Sequence, residues 1–266
     1  MNTVKSADGT PIVFDRLGDG PPVVLVTGAL CDRSATRALA EELARTFTVI
    51  NYDRRGRGDS DDTAPYAVQR EIEDLAALIT EAGGTAAVYG HSSGAALALH
   101  AAAHGLPITR LVLHEPPFSL QEDQEERDRT QAQLATITAL LAQDRRAEAV
   151  TAFLALTGLP PELIEHMSHD PATQANAHTL PHDPFEVLSQ TSRAGRTPIE
   201  QASGVAIPTL VLCGSTSAEW MVEAGRQIAD AMPHGQYQVL QGQGHVVPAE
   251  ILAPVLTDYL GHDAQR

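Results

Sequence analysis

Short apolar runs alternate with stretches of helical spacing along most of this chain. Val23-Val24-Leu25-Val26 is continuously apolar, the pattern of a strand buried on both faces of a parallel sheet. Pro11 to Leu17 predicts an earlier strand, closed by Gly18-Asp19-Gly20-Pro21-Pro22. Further strands are predicted at Phe47 to Tyr52, Ala87 to Tyr89, Leu111 to Leu113, Thr209 to Leu212 and Tyr237 to Leu240. Between them, helical patterns fall on Asp32 to Arg45 with Asp32 as cap, and on Val68 to Ala82, stopped by Gly83-Gly84. Three more run from about Ser93 to His104, from Ala218 to Ala231 and from Val247 to Leu260.

The alternation lapses once. From Gln121 to about Gln201 the pattern is mostly helical, with breaks at Pro160-Pro161, Pro171, Pro181 and Pro184. A βαβ order interrupted by one helical insertion predicts an α/β fold: a parallel sheet with a lid. Ligands of such sheets bind at the carboxyl ends of the strands.

Composition narrows the partners. The chain has 266 residues, enough for one large α/β domain or two small ones, and a formal charge of −16. That charge would repel nucleic acid and anionic membrane. Lys5 is the only lysine against 17 arginines, a bias that points to a GC-rich bacterial genome. Cys31 and Cys213 lie far apart and form no CxxC pair, and no apolar run reaches membrane-spanning length. With no basic-then-apolar start, a cytoplasmic protein is expected, and monomer or homodimer is left open.

Gly90-His91-Ser92-Ser93-Gly94 follows one of the predicted strands and opens a helix. G-x-S-x-G in that setting is a nucleophile elbow, a strained turn that lifts a serine hydroxyl toward a base and a carbonyl. The flanking glycines suit a place where strand and helix approach too closely for side chains.

Four segments in this order resemble the α/β-hydrolase family: Val23 to Leu30, Tyr52-Asp53-Arg54-Arg55-Gly56-Arg57-Gly58-Asp59-Ser60, the elbow, and Gly242-Gln243-Gly244-His245. The resemblance covers essentially the whole chain. It implies an eight-stranded, mostly parallel sheet flanked by helices, with core residues 1–117 and 202–266 and a helical cap over 118–201, inserted after the sixth strand. It places Ser92 as nucleophile, His245 as general base, and the backbone amides of Ala29 and Ser93 in the oxyanion hole. Thr27-Gly28-Ala29-Leu30 lacks the family's frequent His-Gly opening, which matters little for backbone donors.

The acid departs from the family pattern. An aspartate usually follows the seventh strand, and in Cys213-Gly214-Ser215-Thr216-Ser217 its position holds Ser217. A serine cannot supply the charge that orients the histidine. Glu115, ending the sixth strand in Leu113-His114-Glu115-Pro116-Pro117, is the leading substitute, since a neighbouring strand lies roughly 5 Å away. Zearalenone lactonases have a similar His-Glu-x-Pro and a Ser-Ser-Gly elbow. Glu219 is a second candidate, and a salt bridge to an arginine is the structural alternative for Glu115. A catalytically impaired binder is a third explanation.

Leu30, His91, Phe118, Phe153, Phe185 and Trp220 are candidate substrate contacts, with Met167, and core packing of the lid is an equal explanation for the aromatics. His178 and His182 read best as surface positions, Cys31 as packing, and Asp53 to Asp59 as loop-shaping hydrogen bonders. His166-x-x-His169 has helical spacing but no further ligand signal, so no metal site and no cofactor are expected. The expected function is hydrolysis of a small carboxylic ester or lactone. Alternatives are a C–C bond hydrolase, perhydrolase or lyase on the same fold, or a ligand-binding protein without turnover.

Overall fold

The protein is described by a computed structural model over residues 1–119, 124–183, 187–188 and 196–261. Eight strands make one sheet: β1 Asn2–Lys5, β2 Pro11–Leu17, β3 Pro22–Val26, β4 Thr48–Tyr52, β5 Ala86–His91, β6 Ile108–His114, β7 Thr209–Gly214 and β8 Gly235–Leu240. Their spatial order is β1-β2-β4-β3-β5-β6-β7-β8. The first two pairings are antiparallel and the others parallel. This is the α/β-hydrolase architecture. The all-apolar β3 core and the fully buried β7 lie inside the sheet, whereas β1 is a mostly exposed edge.

Helices cover both faces. α1 (Arg37–Leu43) and the C-terminal helix (Ala249–Gly261, numbered α10 below) share an apolar cluster with Val23, Leu25, Val49, Tyr89 and Leu212. The other face carries α2 (Val68–Glu81) and α3 (Ser93–Ala103), against Val24, Val26, Val88 and Leu113. Ala95 to Leu99 in α3 are fully buried, so this helix is apolar all round because it is enclosed all round. α1 starts later than its pattern suggested. The Asp32 carboxylate accepts from Ser34 N at 2.8 Å, making a turn ahead of the helix rather than its cap.

Between β6 and β7 lie α4 (Gln124–Ala142), α5 (Arg146–Leu154), α6 (Pro161–His169), α7 (Pro171–Ala175), a 3-10 turn (Ala177–Thr179) and α8 (Pro198–Ser203). After β7 comes α9 (Glu219–Ala231), and α10 follows β8. The inserted helices have an apolar cluster of their own, with Ile137, Ala149, Val150, Leu154, Ala177 and Leu180. Phe118 and Val187 of the insertion, like Ala202 just after it, instead join the sheet-side core. Among the described residues, no helix is long and apolar enough to cross a membrane.

Candidate active site

Backbone strain marks the site. Among the described residues four non-glycine residues have positive φ, and three of them follow adjacent sheet strands: Leu30 after β3, Ser92 after β5 and Glu115 after β6. Each costs of order 1–3 kcal/mol, and such strain persists where the fold over-determines it. Ser92 sits at φ 55° and ψ −125°, with its amide donating to His114 O at 2.9 Å. A Cβ at Gly90 would lie 2.4 Å from Gly94 O, and one at Gly94 would lie 2.4 Å from Val26 O. Only glycines allow the strand and helix to approach this closely.

Glu115 leaves β6 with its amide bonded to Leu212 O at 2.8 Å, which ties it to β7. Its carboxylate is fully buried. Oε1 accepts from Gly214 N at 2.7 Å and from the Ser217 hydroxyl, and Oε2 lies 2.5 Å from His245 Nδ1. Burial pushes this carboxyl up. The bonds from His245, Ser217 and Gly214 outweigh burial and hold it below the usual carboxylate range. Ser217, at the position where an aspartate was expected, thus supports a carboxylate supplied from the neighbouring strand. Its partner is His245, not an arginine. Glu219 is exposed at the start of α9.

His91 supports the same loop from below. Its Nε2 bonds to His245 O at 2.9 Å, and because a carbonyl only accepts, that nitrogen carries the hydrogen. The His91 ring lies 4.7 Å from that of His245 and 4.9 Å from that of His114. His114 in turn bonds to Tyr89 Oη at 2.8 Å through Nδ1. Burial, then its two histidine neighbours, keep His91 neutral, and burial pushes His114 down to about 4. Among the described residues no hydrogen bond joins Ser92 Oγ to His245 Nε2, while His245 Nδ1 is taken by Glu115. Such bonds commonly tighten only once substrate is present.

A second cluster stands behind Thr27-Gly28-Ala29. Arg54 pairs with Glu71 at 2.6 Å and with Asp183 at 2.7 Å, and Arg57 pairs with the other Asp183 oxygen. Arg57 Nη1 donates to Gly28 O at 2.8 Å, Arg54 Nη1 to Thr27 O at 3.3 Å, and Ser93 Oγ to Asp183 Oδ1 at 2.8 Å. All five side chains are buried. Loop-shaping bonds were expected of Arg54 and Arg57, but Asp183 was missed. It reaches them across 129 and 126 residues, from a short stretch between Pro181 and Pro184.

The proposed substrate contacts fare differently. Leu30 inserts into the cluster of the inserted helices and Phe153 packs against it. Phe118 is buried in the sheet-side core, its ring edge-on to His100 at 6.2 Å. Leu30 and Phe118 are thus buried and Phe153 half-buried in packed clusters, the packing explanation given for the aromatics. Trp220 is exposed at the start of α9, and Phe185 lies outside the described residues. His178 is exposed, and His182 is half-buried, stacked on Tyr66 at 3.7 Å. His169 Nδ1 bonds to Glu165 O within its own helix at 2.8 Å. Cys31 lines a cleft of about 180 Å³ with Gly28, Tyr89, His91, His114 and Val246, on the α1–α10 side of the sheet.

The family model described as "Alpha/beta hydrolase family" matches residues 23–253. A solved structure of an alpha/beta hydrolase from Sphaerobacter thermophilus is 46% identical, with TM-score 0.85 over 97% of this chain and 100% of that one. The 2-(acetamidomethylene)succinate hydrolase of Mesorhizobium japonicum is 26% identical over 91% of this chain and 89% of its own length. The uncharacterized hydrolase YraK of Bacillus subtilis is 31% identical over 120 residues, and the match spans only 44% of its length.

Proposed function

The chain belongs to the alpha/beta hydrolase family, and from that premise we propose that it cleaves a carboxylic ester or lactone through an acyl-enzyme on Ser92. Ser92 Oγ attacks the carbonyl carbon while His245 Nε2 takes its proton. The Glu115 carboxylate holds His245 in the required tautomer and stabilises its charged form. The amides of Ala29 and Ser93 receive the developing oxyanion. As the tetrahedral intermediate collapses, His245 returns the proton to the leaving oxygen. Water, deprotonated by the same histidine, then attacks the acyl carbon and frees Ser92 and the acid. For a lactone the leaving alcohol stays attached to the acyl group until this second step.

One observation carries this reading: the Glu115–His245 bond, with Ser217 and Gly214 completing the carboxylate's shell. It also favours turnover over an impaired binder, because the aspartate missing after β7 has a substitute from β6. The name of the Mesorhizobium relative contains an acetamido group, so amides belong in the substrate screen beside esters and lactones.

A graded panel of p-nitrophenyl esters, lactones and amides tests the reading. Turnover of at least one ester or lactone is expected, with Ser92→Ala lowering kcat by about 10⁵–10⁶, as loss of a serine nucleophile does elsewhere. Ester or lactone turnover within tenfold of wild type in Ser92→Ala overturns it.

A further inference from the structure

The cluster around Asp183 is balanced in charge. Arg54 and Arg57 face Glu71 and Asp183, two cations against two carboxylates, so no positive charge is left over for an anionic ligand. Its function must be sought in what the arginines hold. Arg57 donates to Gly28 O, and the Gly28 carbonyl and Ala29 amide belong to one peptide unit. A trans peptide is planar, with its N–H pointing opposite to its C=O. Fixing Gly28 O therefore fixes the direction of the Ala29 N–H. A cation on the carbonyl also polarises the unit and makes that N–H a stronger donor. Arg54 restrains the preceding carbonyl, Thr27 O, in the same way.

Asp183 touches the other half of the site directly. It accepts from the Ser93 hydroxyl, and the Ser93 amide is the second donor assigned to the oxyanion. A further residue of the insertion closes the loop from the far end. Asn176 Nδ2 donates to Leu30 O at 3.1 Å, where φ is positive, and its Oδ1 accepts from Gly58 N at 3.4 Å. The insertion thus reaches the Thr27–Leu30 loop through two buried polar residues. Burial opposes the charge on Asp183, but the two arginines outweigh it and bring its carboxyl down to about 2.

We propose that Asp183 is a positioning residue for oxyanion stabilisation. Through Arg57 it aims the Ala29 amide, through Ser93 it steadies the turn after Ser92, and the oxyanion hole is complete only with the inserted helices docked. This rests on the reading of the Ala29 and Ser93 amides as oxyanion donors. It goes beyond that reading by assigning their alignment to a side chain on the insertion.

Asp183→Asn keeps the shape and removes the charge. Expected is a fall in kcat of about 10–100-fold, a fraction of the 10²–10³ that follows loss of a whole oxyanion donor, with KM within threefold of wild type. Rates are taken per active site, counted by fluorophosphonate titration of Ser92, so unfolded protein does not enter. A residue that only stabilises the fold would lower the melting temperature and leave titrated kcat alone. Ser93→Ala leaves no unpaired charge and keeps the amide; it should lower kcat about 3–10-fold, and it decides the matter if Asp183→Asn does not fold. Titrated kcat within twofold of wild type in the folded variants, or a rise confined to KM, overturns the proposal alone. Ser92 left unlabelled in wild type, or activity retained in Ser92→Ala, overturns the oxyanion reading and this inference together.

Discussion

Two buried carboxylates reach the Ser92 turn, and they are held in opposite ways. Asp183 faces two permanent cations, Arg54 and Arg57, with a serine hydroxyl in addition. Glu115 faces a backbone amide, a serine hydroxyl and the His245 imidazole, the base of the proposed reaction. Permanent counter-ions make Asp183 a structural tie. Neutral donors leave the Glu115 charge available to a proton-carrying partner. The kind of partner, more than burial, separates a carboxylate that builds a loop from one that serves a base.

That contrast is broken most directly by exchanging effects on rate and on stability. Glu115→Gln should lower kcat by about 10²–10⁴ and shift the unfolding midpoint little, since glutamine retains the shape and can still accept from Gly214 and Ser217. Asp183→Ala should do the reverse in stability, costing about 3–5 kcal/mol because it leaves two buried arginines short of a partner. Kinetics and urea unfolding on the same two variants provide the comparison. Equal losses of stability would show that both carboxylates are structural ties.

A smaller effect follows from pH. The Asp183 carboxyl is depressed from 3.8 to about 2 by its arginines, so its contribution is present above pH 3.8 and lost as pH falls toward 2. The gap amounts to about 2 kcal/mol. His100 and His114 are each depressed by burial from 6.5 to about 4. Their neutral forms favour the fold above pH 6.5, and that contribution declines on acidification through pH 4, by up to about 3 kcal/mol each. Urea midpoints between pH 8 and pH 2 should therefore fall in two stages, the histidine stage first. A flat profile from pH 6.5 to pH 4 would contradict the neutral, buried histidines.

Much of this arrangement was legible in the sequence, for identifiable reasons. Buried strands announce themselves as Val- and Leu-rich runs, and Pro11 to Leu17 matched β2 to the residue. The exposed edge strand β1, Asn2-Thr3-Val4-Lys5, has too little apolar signal to be seen. Glu115 stood out because an ionisable residue closing a buried run needs a partner. Asp183 and Asn176 did not, since their contacts join distant segments and leave no periodicity. The aromatic candidates left two readings open, because a large apolar side chain looks the same in sequence whether it faces a ligand or, like Phe118, packs into the core.

The central claim is that Ser92 is a nucleophile driven by His245 under Glu115. Intact-mass measurement after exposure to a fluorophosphonate tests it without knowledge of the substrate. The account predicts one adduct per wild-type chain, mapped to the peptide containing Ser92, absent from Ser92→Ala and strongly slowed in His245→Ala and Glu115→Gln. Folded wild-type protein that takes up no adduct, or carries it on another residue, would contradict it.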